Sequence, residues 1–186
     1  MVTRQQYWLR SLATLAIITL LLVLTAPRYA FAQEEQPDDR SSAVADIIKG
    51  VVFDPTTYAP ALISYDATMR DWNTSQPFFR NGYVEYNARF TVTGRPNGTP
   101  VSYAAGKNQI FKDTLATLGA TAAQNLTSRV VERALLARYP EHRKVVKTIG
   151  WIQRIGLASL MSYNLSAAHY RQAAYNASRA RELGYQ

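Results

Sequence analysis

Asp71, Glu85 and Asn87 fall between Arg70 and Arg89, with Arg80 among them. Two acids lining one groove can act as general acid and general base, which would make the chain a hydrolase working outside the cytoplasm through Asp71 and Glu85. The same residues have a structural use, in which each acid pairs with a neighbouring arginine or caps a backbone amide. A catalytic pair must also converge in space with shifted proton affinities. The two histidines, His142 and His169, are too far apart for the i, i+4 pair that puts two imidazoles on one metal, and no Cys can complete a tetrahedral site. No Gly-rich phosphate loop, nucleophile elbow or H-E-x-x-H occurs. The sequence gives no reason to expect a metal or a cofactor, and both histidines read as solvent-facing or core residues.

Three further groups suggest contact rather than catalysis. Tyr163, Tyr170 and Tyr175 can form an interface, since tyrosine buries a large face while its hydroxyl stays wet; membership of a core stripe is the commoner use. Arg143, Lys144 and Lys147 make a local basic cluster suited to a membrane surface or an acidic partner, against the ordinary reading of a solvated helix face. Asn73, Asn97, Asn125, Asn164 and Asn176 each begin an N-x-S/T triplet. Only Asn97 falls clearly in a loop, so the triplets read as coincidence rather than as glycosylation sites.

These residues need elements to position them, and the apolar spacing predicts helices. Leu62, Tyr65, Met69 and Trp72 mark a helix within Asp54–Gln76, with Thr57 as N-cap, Pro60 in the first turn and Pro77 as the end. Val84, Tyr86, Ala88, Phe90 and Val92 alternate with polar residues, which predicts a strand paired with 101–104 in a hairpin, or otherwise an extended loop over the helices. Phe111, Leu115, Leu118, Ala122, Leu126 and Val130 predict a helix over 107–139, with Gly119, Ala120 and Ala123 as a second face small enough for close approach. Pro140 breaks it. Val145, Ile149, Ile152, Gly156, Leu160, Tyr163, Ala167, Tyr170 and Ala174 stripe a last helical region over 141–183 that Gly184 stops. Its length predicts a bend near Gly150, Gly156 or Asn164, or an end that projects for a partner.

The front of the chain carries an address. Arg4 and Arg10 precede the uncharged run Leu12–Ala26, and Ala30-Phe31-Ala32 places a signal-peptidase cut before Gln33, an uncleaved membrane anchor being the alternative. Either outcome puts the rest of the chain across the membrane, periplasmic or secreted, and the absence of Cys excludes a lipid tether. The expected organisation is a signal peptide at 1–32, a disordered leader at 33–42 and one mostly helical domain at 43–186. Within the leader and domain, residues 33–100 hold six basic and nine acidic side chains, whereas 101–186 hold twelve and four. The positive charge therefore belongs to the rear. Scattered along helices in an exported protein, it argues against nucleic acid as a partner.

Two resemblances add to this. Asp71-Trp72-Asn73-Thr74-Ser75-Gln76, then Gly82-Tyr83-Val84-Glu85-Tyr86-Asn87 and Gly94, resembles a pattern in small helical bacterial envelope proteins of unknown function. There an Asp near a helix end precedes a Gly-x-x-Glu-x-Asn loop and a later helix carries an Asn, which here is Asn164 or Asn176. The resemblance implies Asp71, Glu85, Asn87 and Asn164 as interaction residues, and Trp72 beside Asp71 joins them as a candidate. Val51-Val52-Phe53-Asp54-Pro55-Thr56-Thr57-Tyr58-Ala59 separately resembles the start of the mature region in minor pilus subunits of type IV secretion systems. The expectation is a mainly α, small helical bundle with one extended loop or β-hairpin. Its expected role is non-enzymatic, structural or interactive, in the cell envelope: it contacts an envelope protein or the membrane surface and is open to oligomerisation.

Overall fold

A computed structural model describes residues 37–97 and 101–185; the expected export signal and the first part of the expected leader lie outside them. The described residues form helices α1 (Pro37–Val52), α2 (Pro55–Arg80), α3 (Tyr103–Arg138) and α4 (Arg143–Glu182), with short 3-10 turns at Ala88–Phe90 and Pro140–His142. The protein is mainly helical, as expected. It divides into two compact units. One takes residues 37–51 and 126–151, the other the described parts of Val52–Asn125 and Ile152–Gln186. Among the described residues no helix is long and apolar enough to cross a membrane.

Several boundaries differ from expectation. Residues 37–42 belong to α1 rather than to a disordered leader, and Pro37 opens that helix, where its missing N–H has no partner to lose. Gly50 lies inside α1. A Cβ there would stand 2.6 Å from Nη1 of Arg129, so the bare backbone admits the guanidinium. The N-cap of α2 is Asp54, not Thr57: its carboxylate accepts from Thr56 N at 3.0 Å and from Thr56 Oγ1 at 2.7 Å. Pro60 and Pro77 both sit within the helix. Each forfeits one i→i−4 bond, but Pro60 is fully buried and Pro77 is followed by Phe78 and Phe79, whose ring packing holds the helix to Arg80.

The expected hairpin is absent, for among the described residues there is no strand. The alternating pattern is broken at Asn87, whose side chain accepts from Arg89 N at 3.2 Å and turns Ala88–Phe90 into a 3-10 turn. α4 runs unbroken past Gly150, Gly156 and Asn164.

Beside the large apolar groups of Pro60, Trp72 and Ile110, the interior of the larger unit is made mostly of small and polar side chains. Thr57, Ala61, Ala67, Thr121, Asn125, Ala158, Ser162, Ser166, Ala173, Asn176 and Ala180 are buried. The expected stripe of α4 faces outward in this unit, with Ile152, Leu160 and Tyr163 exposed by 58%, 44% and 65%. The stripe of α3 does the same at Phe111 and Leu115, and a Cβ at Gly119 would meet nothing within 4 Å. Close approach occurs instead at Gly106, where a Cβ would fall 2.2 Å from Cζ2 of Trp72.

Polar groups are tolerated inside because each finds a nearby partner. Ser162 donates to the Ala158 carbonyl at 2.7 Å and Ser166 to that of Ser162 at 2.6 Å. Thr121 donates to Thr57 O at 2.6 Å, and Asn125 to the hydroxyls of Thr56 and Thr57 at 2.9 and 2.7 Å. The buried Arg154 guanidinium lies 3.2 Å from the carboxylate of Asp54. The segment that begins α2 is thus a packing node for α3 and α4.

Candidate functional site

α2 presents Thr68, Asp71, Trp72 and Ser75 on one face, and the C-terminal half of α4 presents His169, Gln172, Asn176 and Arg179 at spacings of 3, 4 and 3. Between them and the loop after α2 lies a cleft of about 490 Å³, whose loop wall is Tyr83, Val84, Glu85, Tyr86, Asn87 and Phe90. Four of the five interaction candidates, Asp71, Trp72, Glu85 and Asn87, therefore meet here. Asn164 does not: it is exposed outside the cleft, whereas Asn176 lines it.

Two helix ends shape the loop wall. α2 stops at Asn81-Gly82-Tyr83, with Gly82 at φ +87°, Gly82 N donating to Phe79 O and Tyr83 N to Phe78 O. α4 stops at Leu183-Gly184-Tyr185 in the same way: Gly184 has φ +70°, Gly184 N donates to Arg181 O and Tyr185 N to Ala180 O. Both are Schellman caps, which need glycine for the left-handed turn. They bring Tyr83 and Tyr185 edge-on against Phe78, at ring separations of 5.4 and 5.8 Å, and within 6.3 Å of each other, so the three rings form one cluster. The sequence marks them as two Gly-Tyr pairs, of which only Gly184 was expected to act as a stop.

At the floor, the Asp71 carboxylate lies 2.8 Å from His169 Nδ1 through Oδ2 and accepts from Asn176 Nδ2 at 3.3 Å through Oδ1. An ionised carboxylate only accepts, so Nδ1 carries the proton and Nε2 is left as an acceptor in the neutral ring. Asn176 also donates to Ser75 Oγ at 3.0 Å and accepts from Gln172 at 2.8 Å. In the loop, Glu85 Oε1 accepts from Asn87 N at 2.7 Å, and Asn97 N ties back to Glu85 O at 2.8 Å. Trp72 forms the inner wall, its rings 5.4 Å from those of Phe79 and Phe90 and its indole N–H donating to Tyr103 O at 3.2 Å.

The arginines go elsewhere. Arg70 pairs with Asp66 at 2.8 Å, Arg89 with Asp113, and Arg179 at the rim with Glu182 at 2.8 Å. Asp66 also accepts from Tyr170 at 2.8 Å. The Arg70 guanidinium, and then the Tyr170 hydroxyl, hold the Asp66 carboxyl below the usual carboxylate range.

His169, expected as a solvent-facing or core residue, is half-exposed in the cleft and bonded to Asp71. The usable signal was the helical spacing of His169, Gln172, Asn176 and Arg179. His142 remains on the surface beside Glu141. Tyr175 lines the cleft, whereas Tyr163 does not. Arg143, Lys144 and Lys147 are exposed at the start of α4 in the smaller unit, and Asn125 and Asn176 are buried, unlike glycosylated positions. Among the described residues no group of three or more His, Asp or Glu is placed to hold a metal ion. Comparison with family models, curated proteins and solved structures finds no match to this chain.

Proposed function

We propose that the chain is an exported protein of the cell envelope that works by binding, with the cleft between α2, its following loop and the end of α4 as its site. The observation that carries this reading is that both cleft carboxylates already hold donors from the protein: Asp71 has His169 and Asn176, and Glu85 has the Asn87 amide. A general acid and base exchange protons with a substrate. Acids tied to neighbours in this way fix a polar wall instead. The export reading rests on the N-terminal pattern of charge, apolar run and small residues. The resemblance of 51–59 to pilus subunits adds little to this, since Asp54, Thr56 and Thr57 are accounted for by packing.

One observation favours a second reading. An Asp-oriented histidine is the arrangement of a general base, so Asp71 and His169 with Glu85 could serve a hydrolase. The test is to express the full chain with its signal, recover the extracytoplasmic protein and incubate it with solubilised envelope polymers. Mature protein starting at Gln33 and retention of a polymer fraction without breakdown are expected, with retention lost in Gln172→Ala. Turnover by the wild type that disappears in Asp71→Asn or Glu85→Gln would establish the hydrolase and overturn the binding role.

A further inference from the structure

We infer that the cleft takes a neutral, polyhydroxylated ligand, an oligosaccharide. The inference rests on the binding role proposed above and names the chemical class of its ligand.

The first argument is charge. The charged side chains lining the cleft are Asp71, Glu85 and Arg179, with His169 titratable; Arg179 is paired with Glu182, while Asp71 accepts from His169 and Asn176 and Glu85 from the Asn87 amide, so the one lining guanidinium is already matched. An anionic ligand would enter without a counter-charge waiting for it, and taking an ion out of water without a partner is costly. A neutral ligand meets no such barrier.

The second argument is the mixture of surfaces. Tyr83, Tyr86 and Tyr175 stand exposed around the rim by 51%, 74% and 60%. Exposed tyrosines over a polar floor offer flat apolar faces with wet edges. A pyranose ring has the matching form: a C–H face that lies on an aromatic ring and equatorial hydroxyls that both donate and accept. The floor supplies both functions, through the imidazole of His169, the amide of Gln172 and the hydroxyls of Thr68 and Ser75. A purely apolar ligand would strip water from the Nε2 acceptor of His169 and give it no partner in return, which costs binding energy.

The experiment is calorimetric titration of the exported protein with neutral tetrasaccharides of glucose, xylose and N-acetylglucosamine, beside spermidine and a tetragalacturonate. At least one neutral tetrasaccharide should bind, with an affinity unchanged by high salt, because no ion pair is screened. Tyr86→Ala should weaken it tenfold or more, and Tyr163→Ala, on the outward stripe, should not. A preference for spermidine or tetragalacturonate that Gln172→Ala removes would overturn the ligand class while leaving the binding role intact. Failure of the folded protein to bind any neutral tetrasaccharide, or equal binding by Tyr86→Ala, would also overturn it. Cleavage products would instead remove the binding role.

Discussion

Substituting Gly106 by alanine gives a sharp measure of how tightly α3 is held to α2. The new Cβ would stand 2.2, 2.3 and 2.8 Å from Cζ2, Cε2 and Cη2 of Trp72. Carbon atoms rest at about 3.5 to 4.0 Å, so the indole would have to retreat by roughly 1 Å or more. It has little room to do so. Trp72 is 4% exposed, flanked by Phe79 and Phe90, and pinned through its N–H to Tyr103 O. Overpacking of this kind costs about 1 to 3 kcal/mol, and a rigid indole in the path points to the upper end. Alanine returns about 1 kcal/mol of helix propensity. The net loss is therefore about 2 kcal/mol, a fall in melting temperature of roughly 4 to 8 °C for a chain of this size. The control is Gly119→Ala in the same helix, where nothing lies within 4 Å; it should gain up to about 1 kcal/mol. Urea denaturation followed by tryptophan emission and by circular dichroism reads both. Equal stabilisation by the two alanines would refute the contact.

Asn125→Ala removes a 2%-exposed amide that donates to Thr56 and Thr57, and a loss of about 1 to 3 kcal/mol is expected in the same urea assay. Leu160→Ser on the outward face of α4 should stay within about 0.5 kcal/mol of wild type, while Ala158→Leu, two residues earlier on the buried face, should cost about 1 to 3 kcal/mol. The reverse order of the pair would mean that the expected stripe is the core after all. Asp66 has its folded carboxyl held below the ordinary 3.8 by Arg70 and Tyr170. Its contribution to stability is complete above that value and is lost as pH falls through the lower folded one. Denaturation midpoints from pH 5 down to 2 should accordingly fall less steeply for Asp66→Asn, and an unchanged slope would remove Asp66 from the account.

Helix positions were legible in the sequence, because apolar spacing reports a period whatever the face does. The direction of the face was not. Ile152, Leu160 and Tyr163 make the more apolar stripe of α4, yet Ala158, Ser162, Ser166 and Asn176 are buried. Serines that bond the preceding turn's carbonyl enter an interior cheaply, and hydropathy still counts them as polar. The prolines misled for a related reason: a lost backbone bond at Pro60 or Pro77 is outweighed by burial and ring packing that only the fold supplies. Of the site, Asp71, Trp72, Glu85 and Asn87 were found because they sit close in sequence. His169 was missed because its partner lies nearly a hundred residues earlier in the chain.

The paired Gly-Tyr stops have a consequence for motion. Terminal turns of helices ordinarily fray first, and fraying at the end of α4 would stay local if nothing leaned on it. Here Tyr185 leans on Phe78 and Tyr83, and Tyr83 opens the loop that carries Glu85 and Asn87. Loosening the last turn of one helix therefore releases the clasp on the other. Amide protons of Tyr83 and Tyr185 should exchange together, as one opening event, and the width of the cleft's mouth should follow that shared equilibrium.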